Sequence, residues 1–233
     1  KNRNAFSIKP FLRAYDSILK EDIFDSVNEL PFVIVGSGLA AIEVSYALRK
    51  RWGDRPLKLL CDSRKINNTI LKSLRNSNID LVEKLNFDYG KILLCTGNTS
   101  PLWAQKKLLD SDSYGRIITN QNLQIKSFSG IFAVGDCAVV GSAKRPASGV
   151  FAVKVVNTLV QNLKKDIEGR SLKKWFPQKI GLQIVNIFPS HHPKAFAIYR
   201  NFVFGPSFIF WILKHKIDLN FIKKFRSKRL IMK

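Results

Sequence analysis

The segment from Pro31 to Glu43, Pro-Phe-Val-Ile-Val-Gly-Ser-Gly-Leu-Ala-Ala-Ile-Glu, constrains the fold more than any other part of the chain. A short apolar run, Phe32 to Val35, stops at a glycine turn that opens directly into an amphipathic helix. Gly36 allows the tight turn, Gly38 lets the backbone approach a ligand closely, and Ala41 keeps the helix against the strand. The first turn of such a helix carries N–H groups without intrahelical partners, so it faces an anion favourably. This order of strand, turn and helix predicts a dinucleotide site with the pyrophosphate at the turn.

The helix is predicted over residues 39 to 52, with Ile42, Tyr46 and Leu48 or Arg49 marking the helical spacing, and Gly53-Asp54 ends it before a second apolar run, Leu57 to Cys61. Asp62 closes that run about 24 residues after Gly38, where an acidic side chain can accept hydrogen bonds from both ribose hydroxyls of an adenosine. The same residue also reads as an ordinary turn aspartate. Arg64 and Lys65 follow at once and suit a ribose phosphate, so both NADH and NADPH are compatible with the sequence.

Composition bounds the rest. A chain of 233 residues with 45% hydrophobic content folds around a substantial core, which excludes wholesale disorder. Its 39 Lys plus Arg against 17 Asp plus Glu give a formal charge of +22, which points to an anionic partner. No aromatic-rich nucleic-acid signature and no zinc-ligand spacing accompanies that charge, so no nucleic acid and no metal is expected. The adjacent His191 and His192 beside Pro193 read as a loop. Cys61, Cys95 and Cys137 lie in separate apolar runs without a Cys-x-x-Cys pair, as in reduced cytoplasmic proteins. The longest apolar stretch, Phe202 to Leu213, is too short to span a bilayer and is interrupted by Gly205-Pro206, but it can lie on a membrane surface.

Further along, a helix is predicted near residues 10 to 18 and another over 68 to 76, with a third strand over 78 to 83. Asp88 to Gly97 reads as an apolar strand ending at Gly97, at the carboxyl edge of the sheet where α/β folds bind ligands. From Gly115 the pattern changes. Arg116 to Thr119 reads as a short strand, and Gly130 to Val134 as a buried strand ending at Gly135-Asp136, whose carboxylate can accept hydrogen bonds from a polyol. A long helix is expected from Ser148-Gly149 to Lys165, its N-terminus suited to a second ligand and Val150, Val153, Val156, Leu159, Val160 and Leu163 forming its apolar face. Short strands over 180 to 187 and 195 to 199 precede a basic amphipathic tail. The chain begins without methionine and reads as a fragment.

Taken together, GSGLAAIE, ILLCTG and IFAVGDCA resemble, in this order, motifs of the two-dinucleotide flavoproteins, the family of pyridine nucleotide-disulfide oxidoreductases and type II NADH dehydrogenases. The resemblance implies an α/β fold: a connector over 1–30, a Rossmann-like NAD(P)-binding domain over 31–97, a partial FAD-binding domain over 98–168, and a small α+β C-terminal region over 169–233. It implies NAD(P)H at Gly36, Gly38 and Ala41, with Glu43 near the nicotinamide, and FAD with its ribitol at Asp136. The strings RPASGVFAVKVVNTLVQNL, KKWFPQKIGLQIVN and FWILKHKIDLNFIKKF are similar to the NADH dehydrogenase-like module found fused to selenide, water dikinase.

Three departures shape the functional expectation. The family's N-terminal glycine fingerprint, which grips the ADP half of FAD, is missing; the NAD domain is trimmed; and no dithiol pair is present. The expected activity is therefore direct NAD(P)H:acceptor oxidoreduction through FAD, with no catalytic side chain required. An upstream FAD-binding half, a downstream dikinase domain and an anionic membrane surface are the expected partners, and the expected location is the cytoplasm, with peripheral membrane contact. The alternative is a non-catalytic nucleotide-binding remnant or regulatory module attached to a selenophosphate synthase.

Overall fold

The computed structural model describes residues 4–23, 30–97, 109–141, 149–176, 178, 180–187 and 192–229. The chain divides into two compact units, Lys1–Gly97 together with Leu182–Lys233, and Asn98–Gly181 between them in sequence. It is a mixed α/β fold built on a parallel sheet.

In the first unit five short strands, β1 (Ala5–Ser7), β2 (Phe32–Val35), β3 (Leu57–Leu60), β4 (Asp80–Val82) and β5 (Ile92–Leu94), form a parallel sheet in the order β1-β5-β2-β3-β4. Parallel neighbours need crossover connections. Helix α2 (Leu39–Arg51) supplies the one from β2 to β3, and α3 (Asn68–Asn76) the one from β3 to β4. Phe32, Val33, Ile34, Leu57, Leu59 and Leu93 are buried, as strands covered on both faces require. Asn67 caps α3 by accepting the Thr69 N–H, and Tyr46 of α2 donates to Ser73 of α3 at 2.8 Å, tying the two crossover helices together.

Residues 1–30, read from sequence as a connector, contribute β1 to the sheet edge and a helix, α1 (Phe11–Ile23), which extends beyond its expected end. Ile18 of α1 enters the main core, and Glu21 forms a 2.9 Å ion pair with Arg55, the two side chains being 7% and 0% exposed. The Arg55 guanidinium also lies over the rings of Trp52, at 4.6 Å, and Phe32, at 5.3 Å. Its Nε and Nη1 have no hydrogen-bond partner, and the two ring faces stand where acceptors would otherwise be needed.

The C-terminal part of this unit is an antiparallel sheet, β8 (Gln183–Ile187), β9 (Lys194–Tyr199) and β10 (Phe202–Ser207), in the order β10-β9-β8, followed by α5 (Phe208–Arg229). Val185, Ile187 and Phe196 share one buried cluster with Ile34, Ala41, Ile42 and Tyr46, so α2 is covered by apolar groups from both sheets.

The second unit holds a parallel pair, β6 (Ile117–Thr119) and β7 (Ala138–Val140), and helix α4 (Gly149–Ile167). The strand expected over 130–134 does not form as a regular ladder. Only Phe132 bridges, to Gln124, and the positive φ angles of Gly130 (74°) and Gly135 (80°) bracket a segment too short to continue; the regular strand, β7, follows the turn. The expected apolar face of α4 is likewise turned. Val155, Thr158 and Asn162 are buried, whereas Val153, Val156, Val160 and Leu163 are exposed. Asn162 fixes this rotation: its amide donates to the carbonyls of Asn122 (2.8 Å) and Lys173 (2.9 Å), and its oxygen accepts the Lys173 N–H (2.8 Å). A fully bonded buried amide outweighs a hydrophobic stripe because its desolvation is tolerated only in that one orientation.

The ion pair of α1 gives a direct test. Replacing Glu21 by Ala leaves the Arg55 cation buried and uncompensated, which should cost about 3–5 kcal/mol of stability in urea denaturation. A loss near zero would show that the rings alone hold the guanidinium.

Candidate dinucleotide site

Strand β2 has β3 on one side and β5 on the other, so the chain order reverses at β2, and the carboxyl ends of β2 and β5 form the crevice where α/β sheets bind ligands. Gly36 sits in that crevice with φ of 147°. A Cβ there would stand 2.6 Å from the carbonyl oxygen of Cys95 and 3.3 Å from the Ala41 methyl, and its N–H donates to Leu60 at 3.0 Å. Only glycine fits between β3, β5 and α2 at this point.

Gly38 has the opposite character. It is extended, with φ of −86°, it caps α2 without a side-chain hydrogen bond, and nothing lies within 4 Å of where its Cβ would be. The open side of the turn and the uncapped first N–H groups of α2 therefore face the same free space. Ala41 is fully buried. Gly97, two residues beyond the Cys95 carbonyl, also has a positive φ (101°) and open space at its Cβ position.

Ser37 ties the turn to the end of β3, since its Oγ accepts the Asp62 N–H at 2.9 Å. The Asp62 carboxylate is turned into its own loop. It accepts from the Arg64 backbone N–H (3.2 Å), from Arg64 Nε (2.9 Å) and Nη2 (3.2 Å), and it pairs with Lys65 at 3.6 Å. The Arg64 guanidinium hydrogen-bonded to it holds the Asp62 carboxyl below the usual carboxylate range.

Beside the turn lies a cavity of about 390 Å³, a size ordinary for small-ligand pockets. Ser37, Arg64, Lys65, Asn67, Arg200 and Asn201 give it polar walls, and Ile42, Ile66, Ile70, Ile198 and Val203 are among its apolar ones. Arg200 and Asn201 were not legible as site residues. They form the two-residue loop between Tyr199 and Phe202, paired across β9 and β10, and no local pattern tells which surface such a hairpin will face.

The remaining expected site residues belong to other elements. Glu43 is on α2, but its Oε1 accepts the Asn186 N–H at 3.1 Å and pairs with Lys214 of α5. Gly135 and Asp136 form a short 3₁₀ turn of the second unit, where a Cβ on Gly135 would lie 3.9 Å from the Ala152 methyl of α4, and Gly149 is the first residue of that helix. The turn thus rests against the N-terminal end of α4. Cys61 and Cys95 are buried, and burial pushes the Cys95 thiol up to about 11. No metal-binding cluster and no helix long and apolar enough to cross a membrane occurs among the described residues.

No family model matches the chain. It is similar to ferroptosis suppressor protein 1 of Homo sapiens and of Mus musculus, with 25% and 23% identity over 194 residues, covering 67% of this chain and 51% of each relative. It is also similar to a probable NADH dehydrogenase of Dictyostelium discoideum, 28% identical over 176 residues, covering 56% of this chain and 39% of that protein. The chain thus spans about half, or less, of the curated relatives it matches. Among solved structures, the sulfide:quinone oxidoreductase of Aquifex aeolicus superposes on 97% of this chain and 65% of its own with a TM-score of 0.68 at 16% identity. An engineered water-forming NADPH oxidase bound to NADPH covers 84% of this chain and 56% of its own, with a TM-score of 0.55 at 14% identity. The fold is thus the Rossmann-like fold of FAD- and NAD(P)-binding oxidoreductases.

Proposed function

We propose that this chain is the NAD(P)H-binding part, with half of the FAD-binding part, of a flavin-dependent NAD(P)H:acceptor oxidoreductase. The observation that carries the reading is the pairing of a Gly36 that admits no Cβ with a Gly38 whose outer side is open, at the point where the sheet order reverses. The crevice fits a dinucleotide: the uncapped α2 N-terminus would meet the pyrophosphate, and the adjoining basic cavity would take the adenosine end. Bound NAD(P)H and FAD would supply the redox chemistry, hydride transfer followed by electron delivery to an acceptor such as a quinone or a selenium or sulfur species. Within the chain, Gly36 and Ala41 hold strand and helix together, Gly38 leaves the backbone N–H groups accessible, and Gly97 keeps the neighbouring strand end clear. Asp136, Gly135 and Gly149 would hold the ribitol side of the flavin, the ADP half being gripped by an upstream segment.

Two features support that upstream partner. The chain matches about half of its relatives' length, and α4 presents Val153, Val156, Val160 and Leu163 uncovered, as a helix does when part of its domain is contributed elsewhere. The similarity of the later strings to a module fused to selenide, water dikinase supports a dikinase domain as a downstream neighbour. The exposed Phe202, Phe204, Phe208 and Ile209, close in sequence to the lysines of α5, support contact with an anionic membrane surface. The alternative reading is a nucleotide-binding remnant or regulatory module that turns nothing over.

Gly38→Val should abolish NADH and NADPH binding in calorimetry while leaving the thermal midpoint unchanged, because its side chain enters open space. Gly36→Ala should instead lower the midpoint markedly, since its methyl must displace the Cys95 carbonyl. Unchanged binding in Gly38→Val would end the dinucleotide reading. When the FAD-binding half of a relative is added in trans with FAD, Asp136→Ala should lower the flavin retained on gel filtration; no retained flavin in the wild-type mixture would favour the regulatory reading. For the membrane surface, wild type should co-sediment with phosphatidylserine vesicles at low salt, and Ile209→Glu should weaken this. Substitution is preferable to truncation here because α5 also holds Lys214 against Glu43.

A further inference from the structure

We infer that the cavity beside the glycine turn is a phosphate subsite closed by the β9–β10 hairpin, and that through it the protein takes NADPH in preference to NADH. This rests on the dinucleotide reading above and assigns that site its cofactor form. Three cations, Arg64, Lys65 and Arg200, line one cavity, and they come from two chain segments some 135 residues apart in sequence, joined there by Asn67 and Asn201 as neutral donors. Asp62, the residue whose carboxylate would bind the free ribose hydroxyls of NADH, does not line the cavity. Its two oxygens are taken up by Arg64 and Lys65, so it offers the ribose neither an open acceptor pair nor an uncompensated negative charge. With one carboxylate set against Arg64, Lys65 and Arg200, the end of β3 keeps a net positive charge, which favours a dianionic phosphomonoester over a neutral diol.

Arg200 is the telling member. It has φ of 55° in a two-residue hairpin loop, where asparagine or glycine is the favoured choice and a long side chain is not. It pairs with no carboxylate among the described residues; its guanidinium lies over the Tyr199 ring at 5.7 Å and remains a wall of the cavity. Arg200 therefore adds a positive group, at a position where the turn prefers another residue, to a cavity whose other two cations share the single carboxylate of Asp62, and the net positive charge suits an anion.

The test uses the full chain, isothermal calorimetry with NADPH, NADH, adenosine 2′,5′-bisphosphate and 5′-AMP, and two variants. Wild type should bind NADPH at least about tenfold more tightly than NADH, with adenosine 2′,5′-bisphosphate preferred over 5′-AMP and the preference shrinking as salt is raised. Arg200→Asn fits the turn better, so its thermal midpoint should hold or rise, yet NADPH affinity should fall by about tenfold with NADH affinity unchanged. Arg64→Gln should weaken NADPH and, by releasing Asp62, strengthen NADH. Equal or better binding of NADH by wild type overturns the inference while the dinucleotide reading stands. A preference that survives Arg200→Asn overturns the hairpin's part in it. Failure to bind either cofactor or either adenosine phosphate overturns the reading and the inference together.

Discussion

The contact between Gly36 and the carbonyl of Cys95 is the constraint on which the sheet depends. At 2.6 Å from that oxygen there is no room for even a methyl group, so β2 and β5 can lie side by side at the crevice only while position 36 lacks a side chain. Because β5 also pairs with β1, pushing it away would move the whole edge of the sheet beyond β2, Gly97 included. Interiors are packed too densely to absorb such a shift locally. The same short turn therefore sets both the strand spacing and the free space above it.

Helix α2 transmits that geometry to the C-terminal sheet. Its inner face, Ala41, Ile42 and Tyr46, belongs to the cluster that contains Val185, Ile187 and Phe196, and Ser45 is fully buried with its hydroxyl donating back to the Ala41 carbonyl. Glu43 adds a polar latch, one carboxylate oxygen meeting both the Asn186 N–H and Lys214. These interactions hold the β9–β10 hairpin where Arg200 lines the cavity beside the glycine turn. The hairpin belongs to the segment read from sequence as a small C-terminal α+β region, and it lines the cavity beside the glycine turn.

How much of this was legible from sequence follows the range of each interaction. The strand, turn and helix around Gly36 were legible because their signals lie within a dozen residues, and so were β3, α3, β5 and the turn at Asp136. The membership of residues 1–30 in the sheet unit was hidden. What secures α1 is Glu21 against Arg55 with aromatic faces around it, a long-range polar device that periodicity does not register. The rotation of α4 was hidden for a related reason: its valines form a convincing stripe, but the Asn162 amide, bonded to Asn122 and Lys173, decides which face turns inward. For Asp62 the sequence left two partners open, and the folding of Arg64 back onto its carboxylate is a side-chain contact that no sequence pattern states.

The division of the chain bears on its synthesis. Residues 98–181 form a contiguous unit, whereas the unit that brackets them needs both the first 97 residues and the segment from 182 onward. During translation the inserted unit has all its contacts available once it leaves the ribosome, while α2 waits, with Ile42 and Tyr46 uncovered on one side, for strands made some 140 residues later. The nascent chain therefore carries α2 half exposed until β8 and β9 have been made, so its apolar face is the part of this unit open to non-native contacts in that interval.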